Sequence, residues 1–420
     1  MSSNYKRIGD YIQQVKVKNK EGKYSELLGI NIDKFFMPSV ANTVGVNLKN
    51  YKIVENGQFA CNRMHVGRDY RIPVALSEKE TPFLVSPAYD VFEIDKTDEL
   101  LPEYLMMWFR RKEYDRNAWF HTDADVRGGL AWEAFCDLKL PIPSIEKQKE
   151  IVNEYNTVIN QIKLNEQLNQ KLEETAQALY KYWFVDFEFP DEEGKPYKSS
   201  GGEMVFNEEL DKEIPEGWEI GVVGELLDTI NGYAFKSNHF TNTGAFPIIK
   251  IKNVVPPFVE LSDCQFFEGN LTRKLERVLV KKNDILISMT GSGANQMASA
   301  VGQVGKYYNS KESLLNQRVC KLEPKKETLR EYIYQFISNE ETHLELLNAS
   351  TGSANQANIS PDQIKGLVVI RPENKVMEKF QQIGKTLDES KRFNSNIKLL
   401  KLKEFILSKM TRIEEKETAV

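Results

Sequence analysis

The sequence has no long apolar run, few cysteines and few histidines. None of the apolar runs in its 420 residues approaches the roughly 20 residues that span a bilayer. The first residues lead into no apolar signal core, so we expect a cytoplasmic protein. The four cysteines include no Cys-x-x-Cys pair, which argues against structural zinc and a disulfide framework. The four histidines show no metal-ligand spacing, so no metal site is predicted.

Complete catalytic motifs are missing as well. Residues 384–386, Gly-Lys-Thr, resemble the end of a phosphate-binding loop, but Lys379 stands where its first glycine is needed. Residues 255–258, Val-Pro-Pro-Phe, resemble an amino-methyltransferase core, but a valine side chain cannot accept a hydrogen bond from the target amine. There is no Gly-x-Ser-x-Gly elbow, and the acidic pair Asp186 and Glu188 has no nearby lysine of the kind a nuclease would use. The sequence therefore predicts a recognition protein rather than an enzyme.

Negative charge is concentrated in one segment. The net charge of the chain is −5. Residues 186–216 hold eleven acids and three bases, a net charge of −8, which leaves +3 for the remaining chain. The overall charge thus permits binding to nucleic acid without demonstrating it.

The chain contains an internal repeat. Residues 137–143 align with 366–372 at an offset of 229, and residues 54–59 align with 280–285 at an offset of 226. Near the start, Ile8-Gly9-Asp10 resembles Val223-Gly224-Glu225. Each half therefore reads as a globular domain followed by a long helix, which places two similar surfaces in one chain.

Both long helices are predicted from apolar residues at spacings of three and four. In the first of these helices, Asn165 and Asn169 occupy positions of the apolar stripe. Buried polar residues of this kind tend to fix the register of a coiled coil. A whole domain lies between the two helices, so antiparallel pairing is the natural geometry. An amphipathic helix lying on a globular core remains the alternative for the first stripe.

The predicted fold class is α/β, a mixed α+β chain with two globular target-recognition domains. Two long helices pairing as an antiparallel coiled coil separate these domains, and the repeat is pseudo-twofold. The predicted segments are a first recognition domain over 1–143, a first spacer helix over 144–184, an acidic linker over 185–216, a second recognition domain over 217–372 and a second spacer helix over 373–415.

Polar loops at matching places in the two halves are the candidate reading surfaces. They are rich in residue types that read base edges and phosphates, although an ordinary solvated turn is the alternative for any one loop. The candidate DNA contacts of the first half are Asn62, Arg63, His65, Arg68 and Arg127. Those of the second half are Tyr233, Lys236, Ser288, Thr290, Ser292, Asn295, Gln296, Gln317, Arg318, Ser353, Asn355 and Gln356.

The whole chain resembles the specificity subunit of type I restriction–modification enzymes. The marks of this resemblance are Leu315-Asn316-Gln317-Arg318-Val319, residues 352–359 (Gly-Ser-Ala-Asn-Gln-Ala-Asn-Ile) and residues 141–151, which lead into the first helix. The second approach, Ile370-Arg371-Pro372-Glu373, departs from that form and lacks the glutamine. The first domain likewise has Val126-Arg127-Gly128-Gly129 in place of a Gly-x-x-x-Gln motif.

The resemblance implies a non-catalytic DNA-recognition subunit in a host-defence complex. Each domain would read half of a bipartite, asymmetric double-stranded DNA site, while the helices would set the gap and dock two methyltransferase subunits. Restriction subunits would join the complex. S-adenosylmethionine, ATP and magnesium would bind those partners, and this chain would bind no cofactor. The alternative is a coiled-coil scaffold that joins proteins without reading DNA.

Overall fold

The computed structural model describes residues 5–39, 46–64, 66–122, 128–291, 300–353, 356–391 and 393–411. The chain forms two compact units, the first from Met1–Lys163 with Ile397–Val420 and the second from Leu164–Asn396. Within the described ranges, every helix is too short or too polar to cross a lipid bilayer.

In its described residues, the first unit combines short strands with short helices, the start of one long helix and most of the last helix of the chain. Its strands are β1 (Tyr5–Arg7), β2 (Ile12–Val15), β3 (Leu28–Ile30), β4 (Phe36–Pro38), β5 (Lys52–Val54), β6 (Phe59–Cys61), β7 (Val74–Leu76), β8 (Phe83–Val85), β9 (Asp90–Ile94) and β10 (Lys139–Pro141). Its helices are α1 (Val66–Asp69), α2 (Pro102–Phe109), α3 (Lys112–Phe120), α4 (Trp132–Asp137) and the beginning of α5 (Ile145–Phe184), with 3-10 turns at Ile8–Asp10 and Leu48–Asn50.

A four-stranded antiparallel sheet of order β2-β9-β6-β7 forms the centre of the first unit. Strand β1 pairs with β10, β5 with β8, and β3 with β4. The main core lies between the sheet and helices α2 to α5, and its aromatic centre includes Phe59 stacked on Phe92 at 4.9 Å. A smaller core beneath β5 and β8 is centred on Val54 and Phe83.

The second unit has more strands. They are β11 (Met204–Asn207), β12 (Lys212–Pro215), β13 (Glu219–Val222), β14 (Leu227–Asn231), β15 (Phe246–Ile249), β16 (Val254–Val255), β17 (Phe258–Val259), β18 (Gln265–Phe267), β19 (Leu279–Val280), β20 (Ile285–Ser288), β21 (Thr290–Gly291), β22 (Val304–Lys306), β23 (Ser313–Leu315), β24 (Val319–Pro324), β25 (Thr351–Ser353), β26 (Gln356–Asn358) and β27 (Val368–Arg371). Its helices are the rest of α5, α6 (Arg273–Glu276), α7 (Arg330–Ser338), α8 (Glu340–Ala349), α9 (Pro361–Lys365), α10 (Asn374–Ser390) and the start of α11 (Phe393–Lys409), most of which belongs to the first unit. The 3-10 turns are at Val223–Glu225, Ser237–His239, Ile251–Asn253 and Glu327–Leu329.

A six-stranded sheet of order β14-β24-β20-β22-β17-β16 forms the centre of the second unit. A four-stranded sheet, β18-β15-β23-β19, covers a separate apolar core, and three strands, β21-β26-β25, form a small third sheet. Strand β13 pairs with β27 just before α10, as β1 pairs with β10 just before α5.

The predicted internal repeat is confirmed, and one pair of aligned turns shows it in detail. Gly57 and Asn283, which the alignment equates, both adopt the left-handed backbone, with φ of 81° and 73°. The side chain of the next residue then accepts a backbone hydrogen bond in both turns, from Glu55 N to Gln58 Oε1 at 2.9 Å and from Lys281 N to Asp284 Oδ2 at 2.8 Å. The two turns therefore share one geometry although their sequences differ.

The second unit shows that the long helices pair antiparallel, as predicted. Residue numbers rise along α5 while those of its partners fall. The contacts are Asn165 Nδ2 to Asn396 Oδ1 at 2.8 Å, Lys391 Nζ to Glu173 Oε2 at 2.8 Å, and the rings of Phe184 and Phe380 at 4.9 Å. Asn165 and Asn169 are both buried, at 5% and 3% exposure. Asn165 therefore pairs with a second amide, which satisfies a buried polar group and fixes the helix register.

Two segments are more structured than their sequences indicate. Where one spacer helix is predicted from residue 373 onward, the structure has α10 and α11, and Lys391 between them is extended with φ −64° and ψ 138°. The acidic segment over 185–216 contains the β11–β12 hairpin and is anchored by Phe189, which stacks on Trp218 at 4.8 Å. The five predicted segment boundaries themselves stay predictions.

Candidate nucleic-acid interface

In the second domain, two of the polar loops lie side by side at the end of strand β23. Tyr233 N donates to Leu315 O at 2.8 Å, and Gln317 N donates back to Tyr233 O at 3.0 Å. A Cβ on Gly232 would lie 2.1 Å from Asn316 O, so only glycine allows this approach. The loop after β14 and the loop between β23 and β24 therefore form one continuous edge.

The other two loops join the same edge through Met289. Its backbone N donates to Arg318 O at 3.0 Å, and Ile359 N donates to Met289 O at 2.9 Å. Beyond it, strand β21 pairs with β26, so that Thr290 lies opposite Asn358. The described parts of all four polar loops predicted in the second half thus meet, although the loops are separated by up to about 125 positions in sequence. We call the resulting surface the second reading edge, formed by residues 231–236, 288–291, 316–318, 351–353 and 356–358.

The side chains of the second reading edge differ in accessibility. The exposed candidates are Lys236, Gln317, Arg318 and Gln356, and Tyr233 is half-buried. The hydroxyls of Ser288 and Thr290 are buried and have no hydrogen-bond partner among the described residues. Ser353 belongs to β25, but its side chain lies outside the description, as do Ser292, Asn295, Gln296 and Asn355.

The first domain brings its loops together by equivalent bonds. Leu130 N donates to Arg63 O at 3.0 Å, which reproduces the bond from Ile359 to Met289 at the aligned positions. Gly67 N donates to Gly128 O at 2.7 Å, and a Cβ on either glycine would lie 2.7 Å from the other Cα. We call residues 62–64, 66–68 and 128–130 the first reading edge.

Arg63 and Arg68 are engaged within the first domain. Arg63 Nε donates to Asp90 Oδ2 at 2.8 Å, its Nη1 donates to Leu130 O, and its guanidinium lies 5.6 Å from the Trp132 ring. Arg68 is exposed and makes two hydrogen bonds to Asp69, of 2.7 and 3.0 Å. No sequence pattern indicates the pairing of Arg63 with Asp90, because the two residues are 27 positions apart.

The remaining first-half candidates can be placed only in part. Asn62 is half-buried, and its Oδ1 accepts from Met64 N at 3.1 Å. His65 and Arg127 lie outside the described residues. None of the candidate DNA contacts is tested by the structure, so all of them stay predictions.

Neither reading edge has a metal site among its described residues. Among the described residues, no three or more His, Cys, Asp or Glu side chains are grouped so that they could hold a metal ion. The buried thiols of Cys61 and Cys320 sit inside the central sheets, and burial raises the pKa of the Cys320 thiol to about 12. That thiol is therefore a core group rather than a nucleophile.

Comparison with known proteins identifies the family. The model of the type I restriction modification DNA specificity domain matches the chain twice, at residues 16–174 and 215–404. The chain belongs to this family. The function predicted from the sequence, a type I restriction–modification specificity subunit, is therefore confirmed, and the scaffold alternative is not favoured.

Two curated relatives illustrate the extent of the similarity. The chain is 28% identical over 206 residues to the MjaIX specificity subunit of Methanocaldococcus jannaschii, which covers 47% of this chain and 44% of that protein. It is 23% identical over 464 aligned positions to the HindI specificity subunit of Haemophilus influenzae, covering 96% and 97%. The chain thus spans less than half of the first relative and nearly all of the second.

A solved structure supports the fold. The type I restriction–modification S subunit from M. genitalium has a TM-score of 0.53 to this chain at 14% identity, covering 97% of this chain and 95% of the other. At that identity the likeness shows the fold alone, a mixed α/β chain with two repeated domains and long helices.

Proposed function

We propose that this chain reads a bipartite, asymmetric DNA site, one half with each reading edge. The observation that carries the proposal is the meeting of four polar loops at the second reading edge, with matching backbone bonds at the first. Loops positioned by a rigid sheet are the usual place for recognition side chains. Gln317 and Arg318 are exposed there and are side chains of the kinds that read base edges in the major groove.

We also propose a division of labour within a complex. The chain itself would be non-catalytic, and the paired helices would dock two methyltransferase subunits, with restriction subunits joining them. S-adenosylmethionine would bind to the methyltransferase partners, and ATP with magnesium would bind to the restriction partners. Family membership supports these assignments.

Methylation mapping tests the proposal. Long-read sequencing of DNA from cells that co-express this chain with its methyltransferase partner should show a split motif that is absent without the chain. Exchanging residues 205–372 for the corresponding domain of a relative should change one half of that motif and leave the other intact.

The test has clear contrary outcomes. A swap that changes both halves, or neither, contradicts the modular reading of the site. A soluble complex without any chain-dependent motif would return the scaffold interpretation.

A further inference from the structure

Two lysines lie beside the second reading edge without belonging to its four loops. Strand β15 runs parallel to β23, with Ile249 opposite Leu315, and Asn316 N donates to Ile249 O at 3.0 Å. Lys250 is therefore the first residue after β15, as Asn316 is the first residue after β23, and the two lie beside each other just before Gln317. Lys252 follows in the 3-10 turn and is exposed.

A row of aromatic rings connects Lys250 to the reading edge. Its Nζ lies 3.9 Å from the centroid of the Phe240 ring and donates to Gln265 Oε1 at 2.5 Å. Phe240 contacts Phe235 at 6.0 Å, and Phe235 contacts Tyr233 at 5.0 Å. The rings hold the lysine stem in place, so its ammonium is positioned rather than freely sampling solvent.

Among the described residues, neither Lys250 nor Lys252 forms an ion pair with a carboxylate, and the side-chain hydrogen bond of Lys250 goes to the neutral Gln265. Partial burial lowers the pKa of Lys250, and the charge of Lys252 lowers it further. Two lysines whose charges repel each other, and which have no carboxylate partner among the described residues, favour a bound anion.

We propose that Lys250 and Lys252 hold a phosphate of the DNA backbone beside the bases that Asn316–Arg318 read. This inference rests on the proposed function. A phosphate contact carries no sequence information, but it fixes the register of the reading loop on the duplex. The two lysines are therefore positioning residues.

The contact is expected only at the second half-site. In the first domain, the parallel bridge from Leu27 to Leu84 stands where Ile248 pairs with Leu314. Counting forward from Leu27 places Gly29 and Asn31 at the two lysine positions. Neither residue carries a charge, so the first domain has no equivalent pair.

Binding of the co-expressed methyltransferase complex to DNA that contains its mapped motif tests this proposal. Dissociation constants are measured by fluorescence anisotropy between 50 and 200 mM salt. The double variant K250M/K252Q should bind about tenfold more weakly near 100 mM salt, because charged hydrogen bonds are lost. The slope of log affinity against log salt should fall in magnitude by about one, the value for one phosphate contact. The methylated motif should stay unchanged.

Matched controls separate the possible causes. K326Q removes an exposed lysine at the opposite end of β24 and should change neither affinity nor slope. Q317A should weaken discrimination at one base position with the salt slope intact. K250M keeps an apolar stem over Phe240. K252Q alone changes only an exposed side chain, so its loss of affinity can still be measured if the double variant unfolds.

Two results would overturn the proposal, and they differ. If the wild-type complex binds its motif specifically and the double variant keeps the same affinity and salt slope, this inference alone fails. If the wild-type complex shows no sequence preference for any DNA, the proposed function fails as well.

Discussion

At aligned positions the two domains bury different kinds of side chains: charged ones in the second domain and apolar ones in the first. In the second domain, Lys306 Nζ lies 2.5 Å from Glu331 and 2.6 Å from Asp388, and all three are buried or nearly so. Asp388 also pairs with Lys391 at 2.8 Å. We call this group the charged cluster; its members are Glu173, Lys306, Tyr308, Glu331, Tyr334, Asp388 and Lys391.

The first domain has apolar residues at the aligned positions. Strand register equates Lys306 with Leu76, and the offset of 229 equates Asp388 with Ile159 and Lys391 with Ile162. All three counterparts belong to, or pack against, the main core of the first unit. The same backbone arrangement therefore accommodates either buried charged residues or apolar residues at these positions.

The charged cluster lies where the second spacer helix is interrupted, between α10 and α11. Helix α5 runs through Ile162, whereas α10 ends at Ser390 and the chain turns at Lys391. There Lys391 Nζ reaches Glu173, Asp388 and the Tyr308 hydroxyl, at 2.8, 2.8 and 3.0 Å. An apolar residue at this position would leave the buried Glu173 without its cation.

The pKa values of the two acids in the cluster shift in opposite directions. Burial raises the pKa of Glu331, although Lys306 opposes that shift. Burial would also raise the pKa of Asp388, but Lys306 and Lys391 together hold it below its usual range. Removing Lys306 therefore leaves two buried acids without their shared cation.

Lys306→Met should have the largest effect on this comparison. Breaking a buried pair by removing one partner costs about 3–5 kcal/mol, because the remaining charges stay desolvated. Urea unfolding followed by tryptophan fluorescence measures the loss. Replacing the whole set, as K306L/E331Q/D388I/K391I/E173Q, should cost less than Lys306→Met alone, since an apolar filling already suits the first domain. If the quintuple variant lost more unfolding free energy than Lys306→Met, apolar residues could not replace the charged cluster in the second domain.

Helix α10 carries a second difference at Gly384, whose aligned residue in the first domain is the buried Tyr155. A Cβ at Gly384 would lie 2.4 Å from Glu331 Cγ and 2.9 Å from its Cδ. The glycine of the motif that resembles a phosphate-binding loop is thus explained by close packing of α10 on α7.

Gly384→Ala should therefore destabilise the protein, by about 1–3 kcal/mol, because the Glu331 side chain must shift away from Lys306. At an unhindered helix position the same change would stabilise by up to about 1 kcal/mol. Lys385→Ala, at the exposed neighbour, is the matched control and should leave the melting temperature nearly unchanged. A stabilised Gly384→Ala variant would contradict the packing described for this site.

Local sequence predicted the repeat but not these contacts. The turn at Asn56-Gly57 and the helical stripe follow from residues close in the chain, so pattern alone indicates them. Lys306 and Asp388 are 82 positions apart, and no local pattern links them. The buried Gln148 lies between these cases. It belongs to the family-like segment 141–151 that leads into the first helix, so the sequence alone indicates its importance. Its contacts come only from the structure: it accepts from Leu101 N at 2.9 Å and donates to Glu99 O at 2.7 Å.

The smallest expected effect is at the turn that both domains share. A Cβ on Gly57 would meet nothing within 4 Å, so substitution there costs only the strain of a positive φ. Gly57→Ala should lose about 1 kcal/mol, and Gly57→Asn should lose less, because asparagine tolerates the left-handed region. Asn283 already occupies the aligned position with φ 73°, so Asn283→Gly should be close to neutral. Thermal unfolding of the three variants measures these differences. Equal losses for alanine and asparagine at Gly57 would mean that the two turns, despite their shared hydrogen bonds, are held by different forces.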